Sequence, residues 1–268
     1  MTRPRLIATD LDGTFLNSRS EVSPLNASAV LRAAELGVPF VVATGRPSRW
    51  LGVLDQLSSA HPQVIVSNGA AVVELGTHKV LHEFPLPAEV ALAVAEELRP
   101  VIPGISFGFE TGTGFGCEPD SPSRQRNEPG HHLGTLPELV SSLGKVIKLL
   151  GFHPELASDT MTQLAAPIVG ERLTLTHAAT SHPYGMIELT ATGISKASTL
   201  ALLCAELGIA AEDVVAFGDM PNDLDMLQWA GRGYVVANCH ASLKRPGLHP
   251  VPGNDADGVG ATILELLR

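Results

Sequence analysis

No stretch of this 268-residue sequence comes near the roughly 18 uninterrupted apolar residues of a membrane-crossing helix, so no membrane partner is expected. Cysteine is scarce. Cys117, Cys204 and Cys239 are odd in number, widely spaced and form no CxxC pair, which argues against a disulfide framework and against a zinc site. No secretory leader is legible either: in the opening MTRPRLIATD the apolar run stops at Asp10, short of the ~7 to 15 residues of a leader's apolar region. A reducing, cytoplasmic location is expected. Runs of basic residues are also missing. Lys and Arg total 18 against 28 Asp and Glu, a net charge of −10, so a nucleic-acid partner is not expected, whereas a bound divalent cation would be at home. No internal repeat is visible, and the oligomeric state leaves no mark. Hydrophobic (44%) and charged (17%) residues stand at ordinary globular levels, with length enough for one large domain or two.

What is present is a set of short apolar runs with a common grammar: LIATD (6–10), FVVATG (40–45), VIVSNG (64–69), VVAFGD (214–219) and YVVAN (234–238). Each is rich in β-branched residues and stops at a small or polar one. Continuous hydrophobicity marks strands buried on both faces, as in a parallel sheet covered by helices. Helical segments lie between them. SPLNASAVLRAAELG offers Ser23 as N-cap, Pro24 at the first helical position and Gly37 past the end, and SKASTLALLCAELG repeats the pattern with Ser195 and Gly208. GVGATILELLR at the end reads as a third apolar helix. The fold class is therefore α/β, a doubly wound, mainly parallel sheet. Ligands of such sheets bind outside the carboxyl ends of the strands, so Asp10, Asp12, Thr44, Asn68, Asp219 and Asn238 are expected to converge there.

Between the third and fourth runs lies far more chain than a crossover needs. Residues 82–186 are read as an inserted α+β cap domain over the sheet edge, leaving 1–81 and 187–268 as the core. A helix-like PAEVALAVAEELRP (87–100), strand candidates KVIKLLGF (145–152) and RLTLTHA (172–178), and another helical piece support this. TGTGFG (111–116) has the glycines of a dinucleotide loop but no strand before it and helix after it, so a hairpin or turn is preferred. His131 and His132 have no ligand partners at recognisable spacing and are read as solvated loop residues. Arg124 and Arg126 are candidates to meet an anionic substrate.

Two acidic pairs carry the chemistry. Carboxylates held close repel unless one is protonated or both face a cation. Asp10 and Asp12 follow the first apolar run, and Asp219 and Asp223 follow the fourth, Asp223 one turn into the next helix. Singly these positions suit turns or helix caps. Together they offer the oxygens that Mg²⁺ takes, one or two carboxylates with waters and a substrate phosphate. Thr44 and Gly45 in ATGRP supply a hydroxyl and a close backbone approach for phosphate. Lys196 opens a helix, where a cation is unfavourable for the helix dipole, so a functional role is preferred.

DLDGT (10–14), ATGRP (43–47), GISK (193–196) and GDMPND (218–223), in this order, resemble the four motifs of the haloacid dehalogenase superfamily. The place of the insertion, with SNGA (67–70) and DADGVGATI (255–263), resembles its Cof-type sugar-phosphatase branch. Met220, Pro221, Ala237 and Cys239 depart from the common pattern. The resemblance implies a Rossmann-like core and Mg²⁺-dependent hydrolysis of a small phosphorylated metabolite, a sugar phosphate in the family's common case. It implies Asp10 as nucleophile and metal ligand, and Asp12 as acid and base that also binds metal through its carbonyl. Asp219 and Asp223 complete the metal set, and Thr44, Gly45, Lys196 and Asn222 hold phosphate. A phosphohexomutase, or a phospho-ligand-binding regulator with a residual core, is the alternative.

Overall fold

The computed structural model describes residues 3–77, 79–123, 130–177 and 183–268, which divide into two compact units, Met1–Leu81 with Lys196–Arg268 and His82–Ser195. Strands are numbered along the chain. The first unit contains β1 (Leu6–Thr9), β2 (Phe40–Ala43), β3 (Gln63–Val66) and β4 (Ala71–Glu74). β5 (Val80–Glu83) spans the junction, and β12 (Val214–Gly218), β13 (Arg232–Val236) and β14 (His249–Val251) follow the second unit. They form one sheet in the order β14-β13-β12-β1-β2-β3-β4-β5. From β14 to β3 every pairing is parallel, and β4 turns back antiparallel on β3.

The five apolar runs become β1, β2, β3, β12 and β13. Every residue of β1, β2 and β12 is buried, as strands covered on both faces must be. The cover comes from two helix pairs: α1 (Pro24–Glu35) packs on α7 (Gly258–Leu266), and α5 (Lys196–Glu206) on α6 (Leu224–Trp229). Ser23 caps α1 by accepting from the Asn26 N–H at 3.1 Å. Asn26, itself buried, fixes the pair: its Oδ1 accepts from the Gly260 N–H at 2.8 Å, and its Nδ2 donates to the Phe15 carbonyl at 2.6 Å. At Gly260 a β-carbon would stand 2.5 Å from Asn26 Oδ1, so only glycine allows this approach of α7. β5 and β14 escape the sequence pattern because they are short edge strands without a long apolar run, and β4, between β3 and β5, because it follows β3 after a tight turn with no α-helix between them.

The second unit is α+β. Its strands β6 (Ser106–Glu110), β7 (Phe115–Cys117), β8 (His132–Leu133), β9 (Lys148–His153), β10 (Leu173–His177) and β11 (Gly185–Ala191) form a sheet ordered β10-β11-β9-β6-β7-β8. Helices α2 (Ala88–Leu98), α3 (Leu136–Leu143) and α4 (Ser158–Val169) share a core with Phe107, Phe109, Leu149, Ile187 and Leu189 from one sheet face. TGTGFG makes the turn of the β6–β7 hairpin, Thr111 N–H donating to the Gly114 carbonyl at 2.8 Å. His132, expected in a loop, pairs parallel with β7 through backbone bonds that side-chain spacing does not reveal. The unit also ends later than residue 186: β11 is antiparallel to both β9 and β10 and so belongs to this sheet. Arg124 and Arg126 lie outside the described residues.

Candidate active site

The site is made where the parallel strands stop. The Asp10 N–H donates to the Phe217 carbonyl at 2.9 Å, which ties the end of β1 to β12, and Asp219 comes directly after β12. The Thr44 N–H donates to the Ile65 carbonyl at 2.8 Å and the Asn68 N–H to the Thr44 carbonyl at 3.0 Å, joining the ends of β2 and β3. Convergence at the carboxyl ends therefore follows from the sheet register itself.

Asp10, Asp219 and Asp223 are all buried, and each offers a carboxylate oxygen within 4.8 Å of the others. Lys196, 2% exposed, stands between two of them: its Nζ donates to Asp10 Oδ1 at 2.6 Å and to Asp223 Oδ1 at 2.7 Å. Asp223 Oδ2 accepts from the backbone N–H of Asp219 at 3.1 Å and of Met220 at 3.0 Å. Asp223 thus shapes the 219–223 turn with one oxygen and orients Lys196 with the other. Asp219 Oδ1 accepts from Thr14 Oγ1 at 2.9 Å, a contact signalled in the sequence only by the threonine's place in DLDGT.

Electrostatics follow from this burial. Asp10 is raised well above the usual carboxylate range by burial first, then by the charges of Asp223 and Asp219, with Lys196 opposing. Asp219 is pushed up to about 6, again by burial and then by Asp223. Burial alone would lower Lys196, but Asp10 and Asp223 outweigh it and raise the lysine. Three buried carboxylates against one ammonium leave an excess of negative charge in a water-poor site, and the proton affinity of Asp10 and Asp219 expresses it. Hard oxygens with surplus charge are the donor set that Mg²⁺ takes, so these residues fit a divalent cation.

Asp12 stands apart from this group. Its side chain is 49% exposed, and both oxygens are held by the Arg46 fork, Nε to Oδ2 at 2.8 Å and Nη2 to Oδ1 at 2.6 Å. Directly after Asp12 the chain turns at Gly13, whose φ of +81° is open to glycine and strained for other residues. Thr44 is buried, and its Oγ1 accepts from the Arg46 N–H at 3.0 Å. Asn222 Nδ2 donates to Asn68 Oδ1 at 3.3 Å, and Gly45 lies beneath that same Oδ1. Asn238 plays a different part: its Nδ2 donates to the Gly13 carbonyl at 2.7 Å and its Oδ1 accepts from the Asn254 N–H at 3.0 Å, so it clamps the Asp12 loop. Arg46 and Thr14 were not singled out from the sequence, although both sit inside the motifs that were. A groove of about 320 Å³ lined by Val38, Phe40, His61 and Gln63 lies at the opposite, amino ends of β2 and β3 and contains none of these residues.

The model of the haloacid dehalogenase-like hydrolases matches residues 7–263. The chain belongs to that family. It is 28% identical over 256 residues to an HMP-PP phosphatase of Escherichia coli (strain 55989 / EAEC), covering 93% of this chain and 90% of that one. It is 29% identical over 279 residues to the chloroplastic endoribonuclease YBEY of Arabidopsis thaliana; this takes in 96% of the chain but spans only 45% of that protein. Among solved structures, a haloacid dehalogenase-like hydrolase from Bacteroides thetaiotaomicron superposes with a TM-score of 0.78 at 25% identity, covering 99% and 100% of the two chains. A subclass IIB sugar phosphatase shares the fold with a TM-score of 0.80 at 19% identity, covering 97% and 98%.

Proposed function

We propose that this hydrolase is a Mg²⁺-dependent phosphatase that cleaves small phosphomonoesters through a phosphoaspartate on Asp10. The observation that carries the reading is the buried Asp10–Lys196–Asp223 chain beside Asp219, since family membership alone does not say that the machinery is intact. Mg²⁺ would be held by Asp10, Asp219, the Asp12 backbone carbonyl and, directly or through water, Asp223, and would supply charge neutralisation for the phosphoryl oxygens.

Asp10 attacks phosphorus in line; its new O–P bond forms as the ester P–O bond breaks. Lys196 keeps Asp10 ionised and aimed, and Thr44, Gly45 N–H and Asn222 hold the phosphoryl oxygens, so positioning and charge stabilisation do most of the work. Asp12, as the acid, gives its proton to the leaving alkoxide. It then takes a proton from the water that opens the phosphoaspartate, freeing inorganic phosphate and restoring Asp10. Asp12 must leave the Arg46 fork to do this, and its half-exposed position allows that movement.

The substrate is a small phosphorylated metabolite. Sugar phosphates are the first class to assay, with HMP-PP beside them because of the Escherichia coli relative. Release of inorganic phosphate from such a panel with Mg²⁺, abolished by EDTA and by Asp10→Asn, is the expected result. Turnover that survives either treatment, or an isomerised hexose phosphate in place of free phosphate, would count against the proposal.

A further inference from the structure

The SNGA segment holds a conformation that costs free energy. After β3 the chain passes through three consecutive residues of positive φ: Ser67 at 51°, Asn68 at 56° and Gly69 at 107°. Side chains rarely adopt that region, and asparagine tolerates it better than most residues. Ser67 Oγ is fully buried without a hydrogen-bond partner among the described residues, a second cost. Such costs persist only where the surroundings over-determine the backbone, and they gather at functional sites.

The surroundings here are specific. The Ser67 N–H donates to the Arg46 carbonyl at 2.9 Å and the Asn68 N–H to the Thr44 carbonyl at 3.0 Å, so the loop is stitched to ATGRP on both sides. Thr199 Oγ1, on α5 one turn beyond Lys196, donates to the Gly69 carbonyl at 2.8 Å. The left-handed turn then carries the Asn68 carboxamide across Gly45, where a β-carbon would stand 3.3 Å from Asn68 Oδ1. The same oxygen accepts from Asn222 Nδ2 at 3.3 Å.

The geometry points to Asn68 as a positioning residue for phosphate binding: its carboxamide fixes Asn222, from the loop after β12, in register with Thr44 and Gly45, from the loop after β2. This rests on the phosphatase reading above. It gives the strain a purpose, because a right-handed residue 68 would aim its side chain elsewhere and leave Asn222 free to rotate. A residue that orients a ground-state phosphate contact acts on affinity more than on turnover.

The test uses the full-length protein with Mg²⁺ and p-nitrophenyl phosphate, with inorganic phosphate as competitive inhibitor. Asn68→Ala risks the fold, since alanine resists this φ; Asn68→Gly keeps the backbone and removes only the carboxamide. For Asn68→Gly the expectation is an unchanged melting temperature within a few degrees, a KM and a phosphate inhibition constant raised about tenfold, as loss of one useful hydrogen bond gives, and kcat within about threefold. Because the effect runs through Asn222, the double variant Asn68→Gly with Asn222→Ala should bind phosphate no more weakly than Asn222→Ala alone. A folded Asn68→Gly protein with wild-type phosphate affinity, or fully additive losses in the double variant, overturns the inference while leaving the phosphatase intact. Wild-type protein that neither cleaves the ester nor binds phosphate overturns the phosphatase reading and this inference with it.

Discussion

A β-carbon placed on Gly13 would stand 2.4 Å from Oδ2 of Asp219. The turn that follows Asp12 is thus packed directly on a carboxylate some two hundred residues later. Gly13→Ala should displace Asp219 and also strain a backbone at φ +81°, at a cost of about 1 to 2 kcal/mol. We expect Mg²⁺ affinity and phosphate release to fall at least about tenfold, the 1.4 kcal/mol equivalent, by calorimetry and a phosphate assay. Wild-type values for Gly13→Ala would mean that Asp219 does not hold the cation.

On the proposed reading, proton and cation should compete for the same oxygens. Asp219 moves from an ordinary 3.8 when unfolded to about 6 when folded and metal-free, and Asp10 is raised in the same direction. At these two groups the folded state therefore binds more protons than the unfolded state, so their contribution to metal-free stability should fall as pH rises from about 4 to about 6. Mg²⁺ should reverse that loss, and its affinity should weaken as pH drops below about 6. Melting temperature with and without Mg²⁺ across pH 4 to 8, taken as the difference between wild type and Asp219→Asn, checks both signs; a flat metal-free difference contradicts them.

Removing Lys196 leaves Asp10 and Asp223 facing each other without their shared cation. Breaking a buried pair from one side costs about 3 to 5 kcal/mol. Lys196→Met should lose that much stability near pH 7.5 and less at pH 5, where Asp10 can take up a proton instead. Denaturant unfolding at the two pH values measures the difference, and equal losses at both would argue against the pairing.

Asp12 should separate catalysis from stability. Its carboxylate is half exposed, and an ion pair such as that with Arg46 contributes about 0 to 1 kcal/mol. Asp12→Ala is expected to melt within a few degrees of wild type yet to lose roughly 10² to 10⁴ in kcat, the usual range for a general acid and base. An unchanged kcat removes that role from Asp12.

Much of the site was legible because strand ends are written in sequence. Asp10, Thr44, Asn68 and Asp219 each terminate an apolar run, and a parallel sheet leaves such residues no other place to go. Lys196 was legible as a misfit, a cation at a helix start. Partner choice was less so. Whether Asp223 serves the metal or the lysine depends on which oxygen faces the Asp219 and Met220 amides, a matter of ångströms. The same holds for Asn238, which shares its place at a strand end with Asn68 but donates to the Gly13 carbonyl. The end of the second unit was misplaced because β11 reads like any apolar run until its antiparallel partners β9 and β10 are known.

The first unit resumes at Lys196, the residue that joins Asp10 to Asp223. Its bond to Asp10 closes a loop of 186 residues, and that of Thr14 to Asp219 one of 205. Contacts so distant along the chain slow folding, because their closure entropy is lost before the bonds compensate. The lysine bond to Asp223 spans only 27 residues. The C-terminal half of the site can therefore assemble locally, and Asp10 is expected to join it later. A newly made chain should acquire its secondary structure well before its ability to turn over a phosphate ester.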